Sequence, residues 1–173
     1  MNGSSKGRSV NIVVLTVSDT RTEENDKSGD TLVERIKKSG HRIVEKRIVK
    51  DELSLLKDTL KGWIDSSEVD VVIATGGTGV TGRDVTPEAF ESLYEKSIPG
   101  FGELFRWLSY QNIKTSTIQS RATAGVANGT FLFALPGSTG ACKDAWDMII
   151  VHQLDSTHKP CNLVELMPRL TEK

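Results

Sequence analysis

A chain of 173 residues with 37% hydrophobic and 26% charged positions is long enough to bury one core and short enough that a single domain is expected. Its 22 Lys and Arg nearly balance 23 Asp and Glu, for a formal charge of −1, so no overall basic field exists to grip a nucleic acid. No apolar run approaches the roughly 20 residues of a membrane span, and the opening "MNGSSKGRS" lacks the apolar segment of a secretory signal. We expect a cytoplasmic protein with no nucleic-acid or membrane partner. Cys142 and Cys161 form no CxxC pattern and are expected to stay reduced.

In chain order, residues 1–9 read as a flexible tail, 10–151 as the domain and 152–173 as a less regular C-terminal extension. Val10 to Val17, "VNIVVLTV", is β-branched on both faces, as a central buried strand requires. "SGDTLVERIKKSG" predicts a helix with Ser28 as cap, Leu32, Val33 and Ile36 on one face, and Gly40 as the stop. His41 to Val49 alternates, a strand with one wetter face. Leu53, Leu56, Leu60, Trp63 and Ile64 recur at helical spacing and lead into a third strand, Val69 to Ala74. Further on, Thr86 is the expected cap of a helix with Pro87 at its first position and Glu88 in its first turn. "PGFGELFRWLSYQ" restarts a helix, and "TFLFALPGSTGACKDAWDMII" gives a strand, a turn and a helix. Strands alternating with amphipathic helices indicate an α/β fold around a parallel sheet. Trp63, Trp107 and Trp146 each sit at apolar spacing on a different helix, and read as core or subunit interface.

The stretch "ATGGTGVTGRDVTPEA" (Ala74 to Ala89) carries the chemistry. Gly77 to Gly82 formally matches the dinucleotide fingerprint, but Arg83-Asp84-Val85 intervene before the helix. The P-loop spacing also nearly fits, yet Arg83-Asp84 stand where Lys-Ser/Thr belong. What survives is a Gly-rich turn at the carboxyl end of a parallel strand, where exposed N–H groups meet ligands. A merely tight turn would explain the glycines equally well. Asp84 shifts the balance, because a carboxylate beside an anion-binding loop repels phosphate unless a cation bridges them, or else serves as a general base.

Pro136-Gly137-Ser138-Thr139-Gly140 forms a second such corner, for which an ordinary capped turn is the plainer reading. Gln119 to Gly129, "QSRATAGVANG", offers Ser120 and Arg121 in a run that looks too poor in bulky apolar groups to be core; Arg suits phosphate, or a surface ion pair. The first strand ends in Ser18-Asp19 and the second in Lys50-Asp51-Glu52. Both deliver polar groups to the same sheet edge as the glycine loop, so Asp51 and Asp84 can meet, although Asp51 is also a credible helix cap.

Together "LTVSDTR", "VKDE", "TGGTGVTGRDVTPEA", "IPGFGE", "SRATAG" and "LPGSTGACKDAW" resemble the molybdenum cofactor biosynthesis family MoaB/MogA, similar to the G domain of plant Cnx and of gephyrin. The C-terminal "QLDSTHKPCNLVEL" looks more like the MoaB branch. The resemblance implies a doubly wound, mostly parallel sheet with helices on both faces, assembled as a homotrimer or as a hexamer of two trimers. It implies molybdopterin adenylyltransfer, in which the pterin's terminal phosphate attacks the α-phosphate of Mg-ATP. Asp51 and Asp84 would then be the catalytic pair and the Mg²⁺ ligands. Molybdopterin would lie against Thr75, Gly76, Gly77, Thr78, Gly79, Ser109, Ser120, Arg121, Pro136, Gly137 and Ser138. The nucleotide would lie against Ser18, Asp19, Asp51 and Gly77. The substrates would be ATP and molybdopterin or a close, even tungsten-linked, pterin, and other proteins of the pathway would be partners. Two other readings stay open: a scaffold that binds molybdopterin without turnover, and a metal centre built from His152, His158 and Cys161, which lacks a fourth ligand.

Overall fold

The computed structural model describes residues 7–173; of the expected N-terminal tail, residues 1–6 lie outside the described residues. Six strands form one sheet: β1 (Asn11–Val17), β2 (Arg42–Val49), β3 (Val71–Thr75), β4 (Lys96–Ser97), β5 (Thr123–Ala127) and β6 (Thr130–Leu135). Their order is β2-β1-β3-β6-β5-β4. β2, β1, β3 and β6 run parallel, while β5 and β4 add an antiparallel edge. The helices are α1 (Lys27–Lys38), α2 (Leu53–Ile64), α3 (Thr86–Glu91), α4 (Pro99–Ile113), α5 (Thr139–Ala145) and α6 (Val151–Gln153).

The pleat of β1 divides the core. Ile12 and Val14 face a cluster with Leu32 and Ile36 of α1, Phe101 and Phe105 of α4, and Cys142 and Ala145 of α5. Val13 and Leu15 face Leu56, Leu60 and Trp63 of α2 and Phe90 of α3. Helices therefore cover both faces, which is why the inner parallel strands β1, β3 and β6 read as apolar runs, while the edge strand β2 keeps its alternation. From β1 the chain crosses outward to β2 and then returns past β1 to β3. The sheet reverses its order there, so the carboxyl ends of β1 and β3 flank a crevice of the kind that binds ligands in open α/β sheets.

Several local expectations are corrected. Asp26, fully buried, caps α1 in place of Ser28: its carboxylate accepts from Gly29 N at 3.0 Å and Thr16 Oγ1 at 2.7 Å, with Lys46 Nζ at 3.1 Å. Thr86 does not cap α3; Val85 occupies the cap position, and the Thr86 hydroxyl donates to Gly76 O at 2.8 Å. Asp51 makes no cap either, since Glu52 holds that position without a side-chain bond. The run after Arg121, expected outside the core, is the buried strand β5, with Ala122, Ala124 and Val126 in the main cluster. Its small residues make room for a neighbour: a Cβ on Gly125 would lie 2.4 Å from Cγ of Tyr94, whose ring fills that space.

A π-helical turn (Trp146–Ile150) joins α5 to α6, and Leu154 and Val164 beyond it are buried against the core. Cys142 is buried and Cys161 exposed, and both are free thiols. His152 and His158 lie ring to ring at 5.2 Å. They do not join Cys161 in a metal centre, since among the described residues no group of three or more His, Cys, Asp or Glu could hold a metal ion. No helix among these residues is long and apolar enough to cross a membrane.

Candidate functional site

Beyond β3 the chain must turn without leaving the sheet edge, and two glycines let it. Gly76 (φ +104°) and Gly77 (φ +66°) are in the left-handed region, where a side chain strains the backbone. Gly76 also presses against β1: a Cβ there would lie 2.2 Å from Val17 O. Thr86 Oγ1 holds Gly76 O, and Thr86 N donates to Gly77 O at 3.0 Å. The loop is thus fixed from its far end before any ligand arrives.

Two carboxylates close on this loop. A Cβ on Gly77 would sit 2.6 Å from Asp51 Oδ1, and one on Gly79 would sit 2.7 Å from Asp84 Oδ2. Only glycine leaves the backbone uncovered between them. Asp84 Oδ2 accepts from Thr81 N at 2.9 Å and Thr81 Oγ1 at 2.6 Å. The Thr81 hydroxyl bond is the main cause holding the Asp84 carboxyl below its ordinary range, so Asp84 is anionic at neutral pH. Asp51 shifts the other way, upward, through burial first and then the charges of Asp19 and Asp84. Asp19 accepts from Arg83 Nη2 at 2.7 Å, which lowers its own pKa, and from Asp51 N at 3.2 Å. Three carboxylates therefore crowd one corner with Arg83 as their neighbour, and the excess negative charge is felt at Asp51.

From the loop a cleft of about 640 Å³ runs between the β3 and β6 corners and α4. Of the residues expected to bind molybdopterin, Gly77, Thr78, Gly79, Ser109, Ser120, Pro136, Gly137 and Ser138 line it, as does Asp84. Ser109 lies within α4 and is buried. Thr75, Gly76 and Arg121 do not line it. Thr75 Oγ1 donates to Pro136 O at 2.9 Å and ties the two corners together. Ser18 Oγ accepts from Thr20 N and Arg21 N. Arg121 is spent on the glycine loop: Nε donates to Gly79 O at 2.7 Å, Nη2 to Asp84 O at 2.8 Å, and Nη1 to the Glu88 carboxylate. The Ser138 hydroxyl accepts from Ala141 N at 3.1 Å, the ordinary cap of α5.

The sequence reading missed the opposite wall, made by Phe105, Asn112, Ile113, Ser116, Gln119 and Asp144. A signal was available. Phe105, Ser109, Asn112 and Ile113 fall at i, i+4, i+7 and i+8, one continuous stripe of α4 that starts in the core and ends in polar groups.

A phosphate needs donors, a bridging cation needs one or two carboxylates, and a fused ring needs apolar flanks; all three meet in this cleft. The family described as probable molybdopterin binding domain matches residues 13–156. Molybdenum cofactor biosynthesis protein B of Escherichia coli (strain K12) is 50% identical over 151 residues, 87% of this chain and 89% of that protein. A crystal structure of a molybdenum cofactor biosynthesis protein B superposes with a TM-score of 0.86 at 39% identity, covering 96% of this chain and 99% of the other. The tungsten cofactor synthesizing protein MoaB from Pyrococcus furiosus gives 0.75 at 38% identity, over 82% of this chain and 91% of its own. The chain therefore belongs to the MoaB/MogA family of molybdopterin binding domains, on its MoaB branch.

Proposed function

We propose that this protein acts in molybdenum cofactor biosynthesis by binding molybdopterin and adenylylating its terminal phosphate with ATP. The observation that carries this reading is the convergence of Asp51 and Asp84 on the bare backbone of Gly77 and Gly79. In the reaction an oxygen of the pterin's phosphate forms a bond to the α-phosphorus of ATP, the bond from that phosphorus to the bridging oxygen breaks, and pyrophosphate leaves with the electron pair. Two phosphates repel, so positioning and charge neutralisation are the protein's main contributions. Loop N–H groups from Gly77 to Gly79 would receive phosphate oxygens.

The carboxylates present fit Mg²⁺. That ion takes one or two carboxylates plus phosphate oxygens and water, and Asp51 and Asp84 both close on the bare backbone of the glycine loop. Asp51 and Asp84 would hold it. When bound, Mg²⁺ supplies positive charge to the nucleotide phosphates. Arg83 anchors Asp19, which in turn accepts from Asp51 N, so this chain orients Asp51 through its backbone.

Incubation with molybdopterin and Mg-ATP, followed by mass detection of the adenylylated pterin, tests the reading. Asp84→Asn is expected to slow transfer about 10²- to 10³-fold with the fold intact. Asp51→Ala acts through the same ion, so the double variant loses far less than the product of the single losses. Full turnover by Asp84→Asn at limiting Mg²⁺ would remove it from the mechanism. Binding of molybdopterin with no product from the wild type would leave the scaffold reading in its place.

The same reading includes self-association. Leu104 (42% exposed), Trp107 (65%) and Met148 (44%) present apolar surface on α4 and the turn after α5, and a symmetric oligomer would cover it in every copy. Light scattering on the full chain is expected to report a trimer or a hexamer; a monomer at micromolar concentration would refute this part.

A further inference from the structure

Asp84 is not the only carboxylate in the cleft. Asp144, on the last turn of α5, lines the same space and accepts from Asn112 Nδ2 at 3.1 Å. Asn112 stands at the carboxyl end of α4, so the pair bridges the tips of two helices. The phosphate cannot lie here, for like charges repel and the N–H donors are elsewhere. They gather at Gly77 to Gly79. Asp144 is five residues past Thr139, roughly 7–8 Å further along the helix axis. Phe105, Ile113, Pro136 and Ala141 add apolar surface to the cleft walls.

The cleft is therefore polarised, with donors at one end and a fixed acceptor at the other. A ligand that fits carries an anion at one end and an edge of paired N–H donors at the other, with a flat apolar body between. A pterin has such an edge: N3–H and the 2-amino group point the same way and match the two oxygens of a carboxylate, as a guanidinium does. A carboxylate has about four acceptor sites, and the bond from Asn112 occupies one while setting the plane of the group. On the reading above that the substrate is molybdopterin, we infer that Asp144, oriented by Asn112, recognises the N3–H and 2-amino edge of the ring and selects 2-aminopteridines over their 2-oxo counterparts. Asp144 is then the specificity residue and Asn112 its positioning residue.

Competition against bound molybdopterin on the full chain tests this, using two phosphate-free competitors: a tetrahydropterin and the matching 2-oxo lumazine. The wild type is expected to prefer the 2-amino compound about tenfold or more, because the 2-oxo group turns a donor into an acceptor facing a carboxylate. Asp144→Asn presents an amide donor to that position, so the preference is expected to level or invert. Its affinity for molybdopterin falls about 10- to 100-fold, while Mg-ATP binding stays at the wild-type value. Asn112→Ala keeps the carboxylate but frees its plane, and should lose less affinity and part of the preference. An unchanged preference in Asp144→Asn, or an equal loss of Mg-ATP binding, overturns the inference and leaves the proposed function standing. No molybdopterin binding by the wild type removes both.

Discussion

Two turns with similar composition follow neighbouring parallel strands, and they are held differently. The loop after β3 takes positive φ at Gly76 and Gly77 and is pinned by Thr86, Arg121 and the backbone of β1. The turn after β6 takes no such conformation. Gly137 is not in the left-handed region; a Cβ on it would meet Gly76 Cα at 3.2 Å, and Ser138 caps the helix in the usual way. Gly76 and Gly77 are required by their own backbone as well as by close neighbours, whereas Gly137 is required by its neighbour alone. The β3 loop is the rigid reference, and the β6 turn is fitted against it.

The contrast is broken most strongly at the glycines. Gly76→Ala would force a methyl onto Val17 O and leave alanine at φ +104°, so it is expected to cost about 3–5 kcal/mol or prevent folding. Gly137→Ala asks only for a few tenths of an ångström from Gly76, and should cost about 0.5–1.5 kcal/mol. Denaturant midpoints of the two variants compare them directly. Equal costs would mean that the two turns share one kind of constraint.

Side chains sharpen the same point. Arg121→Lys cannot reach Gly79 O, Asp84 O and Glu88 together, because an ammonium lacks the planar fork, and should cost about 1–3 kcal/mol. Ser138→Ala removes one cap bond and should cost about 1 kcal/mol. Amide hydrogen exchange at Gly79 and Asp84 should quicken in the first variant alone. Faster exchange there in Ser138→Ala would show that the corners are coupled more tightly than the bonds from Thr75 Oγ1 to Pro136 O and from Gly76 N to Leu135 O suggest.

Much of this was legible in the amino-acid order because local patterns and tertiary demands coincide. The three inner parallel strands β1, β3 and β6 are buried on both faces and so announce themselves as apolar runs, the edge strand β2 shows only as an alternation, and the glycine loop stands out because few other needs concentrate Gly and Thr there. β5 was missed for a physical reason. Its bulk is supplied by Tyr94, so the strand itself had to be small, and "TAGVA" resembles a loop. Asp26 was missed as a cap because burial against Thr16 and Lys46 is a tertiary fact. The far cleft wall escaped because Asn112 and Asp144 look like solvent-facing residues on amphipathic helices until the two helix tips are seen together. Arg121 was expected at a phosphate; the sequence shows its charge but not that three acceptors already surround it.

The smallest expected effect separates Asp51 from its neighbours by sign. Asp19 and Asp84 have lowered carboxyl pKa values, so each adds stability above its unfolded pKa and loses it as pH falls through the folded value. Asp51 is raised, so the native state holds its proton more tightly than the unfolded chain does. Stability is then lost as pH rises through the unfolded and folded values, and at neutral pH the Asp51 charge works against the fold. Asp51→Asn is expected to raise Tm by roughly 1–4 °C at pH 7, a gain that fades as pH falls and the wild-type carboxyl takes up its proton. On the proposed function Mg-ATP should reverse the order, because ligand binding would stabilise the wild type in proportion to its affinity and the variant would lack one oxygen donor. Thermal melts of both proteins at pH 7 and pH 4, with and without Mg-ATP, give the comparison; a lower Tm for the variant at pH 7 without ligand would show that Asp51 supports the fold rather than being strained by it.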